Sequence, residues 1–155
     1  MTNVSNTGTE YLARETARPL LILLVEDDLT SRTLLQPVLG RYGTCHVASD
    51  GHEALKAVRE ATEQSTSYDL ICMDIMMPGM DGRETLRQLR SIEQARGIRS
   101  RHGAKVIMTT SIDDMKEVMR CFQDDCDGYL VKPVSIPKLL DLMEDCSLIP
   151  VKTGS

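Results

Sequence analysis

The chain has 155 residues, with 18 Lys and Arg against 23 Asp and Glu for a net charge of −5, and 41% of its residues are hydrophobic. This length and composition bound it to one domain of ordinary size, able to bury a core without disulfide or metal support. The acidic balance argues against a polyanion-binding surface, and zero Trp with a single Phe argues against base-stacking platforms, so nucleic acid is not an expected partner.

Residues 1–18 are polar and without sustained periodicity, which reads as a flexible tail. Leu20–Val25 (LLILLV) is the longest apolar run; it is far too short for a membrane span and fits a strand buried on both faces. Leu34, Leu35, Val38 and Leu39 mark an amphipathic helix, and Pro37 inside that pattern predicts a kink or a helix boundary. Thr44–Ala48 reads as a second strand, followed by a helix carrying Ala54, Leu55, Ala57, Val58 and Ala61. Leu70–Met73 is the third strand, and Leu86, Leu89 and Ile92 mark the helix after Gly82. Val106–Met108 is the fourth strand, followed by a helix with Met115, Val118, Met119 and Phe122. Tyr129–Val131 is the fifth, followed by a helix with Leu139, Leu140, Leu142 and Met143. Residues 150–155 read as a frayed tail, which leaves 19–149 as the folded unit. Five β-α repeats require crossover connections, hence a doubly wound α/β fold whose parallel sheet is covered by helices on both faces. No secretion signal is visible at the N-terminus. The five Cys, at 45, 72, 121, 126 and 146, have no CxxC spacing. Both point to reduced thiols in a cytoplasmic protein, away from membranes.

A doubly wound sheet places its functional crevice at the carboxyl ends of the strands. The first strand ends in Glu26-Asp27-Asp28, the third in Asp74, the fourth in Thr109-Thr110 and the fifth in Lys132-Pro133. Acids on neighbouring strand ends repel one another, and a cation relieves them. An all-oxygen site with few protein ligands suits Mg²⁺. Lys132 can pair with Asp74 or with an added anion, and Thr110 can donate a hydrogen bond to that anion. Together these are the parts for phosphoryl transfer to an aspartate. Taken singly each has a plainer reading: Asp27 or Asp28 as a helix cap, Asp74 as a turn residue, Lys132 as a solvated lysine. Their occurrence in order at one sheet edge weakens those readings.

The blocks ILLVEDD (Ile22–Asp28), ASDGHEAL (Ala48–Leu55), DLICMDIMMPGMDG (Asp69–Gly82), VIMTTS (Val106–Ser111) and DGYLVKPV (Asp127–Val134) resemble response-regulator receiver domains, of the single-domain kind seen in chemotaxis regulators. The resemblance covers about residues 19–147, and it implies a flavodoxin-like fold with strand order 2-1-3-4-5 and five helices. It implies that Asp74 is the phosphoacceptor. Mg²⁺ would be held by Asp27 directly, by Glu26 through water, by Asp74 and by the backbone carbonyl of Met76. Thr110 matches the switch hydroxyl, with Thr109 a rival inside the strand. Tyr129 matches the switch aromatic and Lys132 the phosphate-binding lysine, with a cis Lys132–Pro133 bond. The implied partners are a sensor histidine kinase or a histidine phosphotransfer protein, and an unknown downstream protein. The remaining residues leave no room for an output domain, so signalling would run through protein contacts or onward phosphoryl passage, from a monomer or a phosphorylation-dependent dimer.

The span from Asp74 to Thr110 is longer than in short members of the family. Glu93–Lys105, with Arg96, Arg99, Arg101 and Lys105, reads as an extended helix end and a solvated loop, or else as a docking site for an acidic partner. Ser111 stands where an Ala is usual. Met76 and Ile112 flank the phosphoryl position, and neither orients a water, so slow self-dephosphorylation is expected. The numerous Met read as flexible core fillers. A phosphatase of the haloacid dehalogenase type would need a second aspartate two residues after the nucleophile, where this chain has Met76. No phosphate-binding Gly-rich loop follows a strand. The protein is therefore read as a switch that catalyses only its own phosphorylation and dephosphorylation. A phosphorylation-independent binding module ranks below that, because every site residue is present.

Overall fold

The five apolar runs become five parallel strands: β1 (Leu20–Val25), β2 (Gly43–Ala48), β3 (Leu70–Asp74), β4 (Lys105–Thr110) and β5 (Gly128–Val131). The structure, a computed structural model, describes residues 18–98, 102–111, 116 and 126–151. The strands form one sheet in the order β2-β1-β3-β4-β5, every neighbour parallel. This is the expected doubly wound, flavodoxin-like order. Four α-helices lie among the described residues: α1 (Leu29–Leu39), α2 (Gly51–Glu63), α3 (Gly82–Ala95) and α4 (Ile136–Asp145). The helix expected over Met115–Phe122 falls outside the described residues apart from Lys116. Of the expected tails, only Arg18, Pro150 and Val151 are described. Among the described residues no helix is long and apolar enough to cross a membrane.

Strand alternation divides the core into two layers. Ile22 and Leu24 join Leu35 and Leu39 of α1 and Leu139 and Met143 of α4 on one side of the sheet. Leu23 and Val25 join Leu55 and Val58 of α2 and Leu86 and Leu89 of α3 on the other. Each such side chain contributes about 1.5–3 kcal/mol when fully buried. Leu148 and Ile149 close the first layer, so the packed core extends to residue 149. Met73, Met77 and Met108 are buried core fillers.

Helix starts are set by short polar caps after the strands. Asp28, Asp50 and Asp81 accept from the backbone N–H of Ser31, Glu53 and Glu84 at 2.8, 2.9 and 2.9 Å, satisfying amides that the first turn leaves orphaned. Asp28 is thus a cap, the plainer of its two readings. α1 continues through Pro37 to Leu39 and then tightens into a 3₁₀ turn at Gly40–Tyr42. The proline sits in the last turn, so the only intrahelical bond it forfeits is the one to the carbonyl of Thr33. Leu34, placed in the apolar stripe by its spacing, is exposed, because Leu35 and Leu39 occupy the face turned to the sheet.

The strands are longer than their apolar runs. β3 includes Asp74, and β4 runs from Lys105 to Thr110, because the β3–β4 ladder continues to the pair Asp74 and Thr109. β2 starts at Gly43, where a Cβ would lie 1.9 Å from the Leu20 carbonyl oxygen. Only glycine permits that approach.

Candidate functional site

The carboxyl ends of β1, β3, β4 and β5 bring the acids and the lysine together. Glu26 follows β1 directly; its backbone N–H donates to the Ala48 carbonyl at 2.9 Å and its side chain is almost wholly buried. Asp74 ends β3 and is 7% exposed. Lys132, one residue past β5, reaches both: its Nζ lies 2.8 Å from Asp74 Oδ2 and 3.1 Å from Glu26 Oε1. The backbone N–H of Lys132 also donates to the Thr110 carbonyl at 2.7 Å, which extends the β4–β5 pairing by one residue. The second oxygen of Asp74 is held as well, since the Met76 N–H donates to Oδ1 at 3.1 Å.

The loop behind Asp74 is tightly seated. The Gly82 N–H donates to the Ile75 carbonyl at 2.9 Å. A Cβ at Gly82 would lie 2.6 Å from the Asp74 carbonyl oxygen and 2.9 Å from Ile75 Cα. α3 therefore begins directly against the backbone of Asp74, a packing that requires glycine. The loop leaves the Met76 side chain 54% exposed.

Electrostatically the site is an excess of buried negative charge around one cation. Burial pushes the Glu26 carboxyl above its ordinary range and the charge of Asp74 adds to this, while the Asp28 N–H and Lys132 oppose it. For Lys132 burial pulls the ammonium down, but its bonds to Asp74 and then Glu26 outweigh that and raise it. Both follow from the rule that burial disfavours charge and an opposite neighbour restores it.

Carboxylate oxygens of Glu26, Asp27 and Asp74 all lie within 4.8 Å of one another, the one such group of three His, Cys, Asp or Glu among the described residues. An all-oxygen donor set of this charge fits a hard divalent cation.

The other two expected residues have contacts of their own. Thr110 is wholly buried, and its hydroxyl donates to the Ser111 carbonyl at 3.1 Å rather than to Asp74. Tyr129 is half-buried against the α2–α3 layer of the core. The Lys132–Pro133 bond is cis. The sharing of Lys132 with Glu26 was not foreseen from sequence, which paired it with Asp74 alone; the readable signal was that order 2-1-3-4-5 makes β1 and β3 neighbours.

Of the described thiols, those of Cys45, Cys72 and Cys146 are made less reactive by their surroundings. Burial pushes Cys45 up to about 11 and raises Cys72 and Cys146, which keeps them protonated at neutral pH.

The family model described as the response regulator receiver domain matches residues 22–144. The chemotaxis protein CheY of Halobacterium salinarum is 30% identical over 125 residues, covering 80% of this chain and 93% of that protein. The transcriptional regulatory protein AfsQ1 of Streptomyces coelicolor is 35% identical over 114 residues, covering 73% of this chain and 44% of that protein. The chain spans from 10% to 44% of the length of several curated relatives it matches. Among solved structures, the receiver domain of the histidine kinase CKI1 from Arabidopsis thaliana, complexed with Mg²⁺ and BeF₃⁻, is 26% identical with a TM-score of 0.71, covering 90% of this chain and 95% of that one. With the sheet order and the acidic strand ends, these matches establish that the chain belongs to the response regulator receiver domain family of two-component signalling.

Proposed function

We propose that Asp74 accepts a phosphoryl group from the phosphohistidine of a sensor histidine kinase or a histidine phosphotransfer protein, in a Mg²⁺-dependent reaction. Residues 19–149 form the working unit, located in the cytoplasm. Its output runs through phosphorylation-dependent protein contacts or onward transfer of the group, as a monomer or a phosphorylation-dependent dimer. The observation that carries this reading is the ammonium of Lys132 held between Asp74 and Glu26 at 2.8 and 3.1 Å. This places a carboxylate nucleophile beside a cation able to pair with an added anion.

The chemistry follows from the residues. A carboxylate oxygen of Asp74 bonds to phosphorus as the phosphorus–nitrogen bond to the donor histidine breaks, and the histidine nitrogen takes the electron pair. The Met76 N–H and Lys132 hold the carboxylate in one orientation beforehand, which lowers the cost of positioning. Lys132 then transfers its contacts from Asp74 to the new phosphoryl oxygens, a stronger anionic partner. Glu26, Asp27, Asp74 and the Met76 carbonyl would hold Mg²⁺, which when bound offsets charge on the transferring group. Thr110 leaves the Ser111 carbonyl to donate to the phosphoryl group, and Tyr129 turns inward behind it. The binding of Mg²⁺ and BeF₃⁻ by the related CKI1 receiver domain supports this reading. The protein acts on no substrate besides its own aspartate.

Intact mass after incubation with Mg²⁺ and acetyl phosphate tests it, with Asp74→Ala and EDTA samples alongside. Gain of one phosphoryl group, lost in both controls, is expected. No gain, together with no NMR change at Thr110 and Tyr129 on adding beryllofluoride, would overturn it in favour of a constitutive binding module.

A further inference from the structure

At the opposite end of the sheet from Asp74 lies a second cluster of charge, unused by the chemistry above. Arg90 of α3 is 8% exposed, and so is Glu93 one turn on. The Arg90 guanidinium donates to Glu93 Oε1 at 2.9 Å, to the Ala104 carbonyl at 2.8 Å and to Asp127 Oδ2 at 3.3 Å. Each acid also accepts a backbone N–H: Ala104 donates to Glu93 Oε2 at 2.7 Å, and Val106 to Asp127 Oδ2 at 2.8 Å. One fork-shaped cation thus ties the last turns of α3 to the residue just before β4 and to the residue just before β5. The planar guanidinium presents its donors to all three in one fixed fork, which a lysine's compact ammonium does not reproduce.

The consequence lies along β5. This strand is short, at the sheet edge, and among the described residues pairs only with β4. An edge strand with one ladder is the part of a sheet that opens most easily. Asp127 stands just before its start and Lys132 just past its end, about 16 Å on at the usual rise per residue. A slip of two residues would keep every side chain on its face but shift Lys132 by about 7 Å. That is far more than its contacts with Asp74 and Glu26 tolerate. The β4–β5 ladder alone does not prevent such slippage, because parallel bonds repeat evenly along the strand. The Asp127 carboxylate on the Val106 N–H does, because it accepts outside the regular ladder, and Arg90 holds that carboxylate in place.

We propose that Arg90 is a positioning residue for Lys132, acting through Asp127 on the register and closure of β5. The strand-locking step stands by itself; its consequence for anion binding rests on the phosphoacceptor reading. Amide hydrogen exchange on Arg90→Met and Asp127→Asn tests the first step, and beryllofluoride titration the second. Arg90→Met is expected to speed exchange at Gly128–Val131 about tenfold while β1 and β3 amides change little, and to weaken beryllofluoride binding several-fold. Arg90→Lys, with charge but no fork, falls between. Asp127→Asn keeps an acceptor for Val106 and loses the ion pair, so it gives the same local pattern with smaller amplitude, and it carries the exchange test if Arg90→Met does not fold. Equal acceleration in all strands, or no change in β5, overturns the proposal, as does local acceleration in Arg90→Met with unchanged beryllofluoride affinity. A wild-type protein that fails to bind beryllofluoride refutes the phosphoacceptor reading instead, and the exchange pattern still decides the strand lock.

Discussion

Replacing Lys132 by Met leaves Asp74 and Glu26 side by side with no cation between them. The aliphatic stem is retained in volume, so the change isolates charge. Orphaning one partner of a buried pair costs about 3–5 kcal/mol. The Lys132 side chain keeps 27% exposure, which lets water screen part of that, so about 2 kcal/mol is expected at neutral pH. For a chain of this size that is about 6 °C in Tm. The loss should depend on pH. Without Lys132 the folded-state pKa of Glu26, already raised by burial, rises further above its unfolded value. Between those values the native state binds more protons than the unfolded chain, so the variant loses stability as pH rises through that window. The deficit should therefore be smaller at pH 5 than at pH 7.5. At the alkaline end the raised pKa of Lys132 gives the wild type a contribution that is full below the unfolded lysine value of about 10.4. It is lost as pH rises through the higher folded value, so the two proteins converge there. Urea melts of both at pH 5, 7.5 and 11 read this directly. A deficit at pH 7.5 under about 0.5 kcal/mol, the ordinary scale of a surface change, or one equal at pH 5 and 7.5, would refute the electrostatic account.

Three further outcomes are expected. Gly82→Ala gains helix propensity of about 1 kcal/mol, but its Cβ meets the backbone of Asp74 and Ile75 at 2.6 and 2.9 Å. Overpacking of about 1–3 kcal/mol therefore wins, and urea denaturation should show net destabilisation; a more stable variant would disprove the tight seating of α3. Asp28→Ala removes the cap of α1, whose bond to Ser31 is 2.8 Å, and should cost about 1 kcal/mol while leaving acetyl phosphate labelling stoichiometry intact; loss of labelling would assign Asp28 to the site. Once phosphorylated, the protein should lose the group slowly, because the exposed Met76 at the mouth has no hydrogen bond to offer an attacking water. A time course by intact mass showing decay within seconds would contradict this.

Much of this protein is legible in one dimension. Five apolar runs with helical stretches between them dictate parallel strands and two-sided coverage, because crossover connections leave no other economical arrangement. The strand ends then place Glu26, Asp27, Asp74, Thr110 and Lys132 at one edge of the sheet. Element limits were less legible: apolar runs mark where a strand is buried, whereas the ladder carries β3 and β4 on into polar residues such as Asp74 and Thr110.

The sequence by itself thus determined the architecture, the edge on which the chemistry sits and the residue types gathered there. Only the tertiary structure decided how their charges are shared. Lys132 serves Glu26 as well as Asp74, Asp28 turns away to cap α1, and the Thr110 hydroxyl faces the Ser111 carbonyl. The same holds for Glu93, which opens a segment that reads as a solvated helix end and loop and is in fact buried against Arg90. The physical reason is common to all of them. Periodicity and strand ends are local properties of the chain, whereas the state of a charge is set by partners from distant segments, as Arg90 and Asp127 are, and by how much water the fold leaves between them.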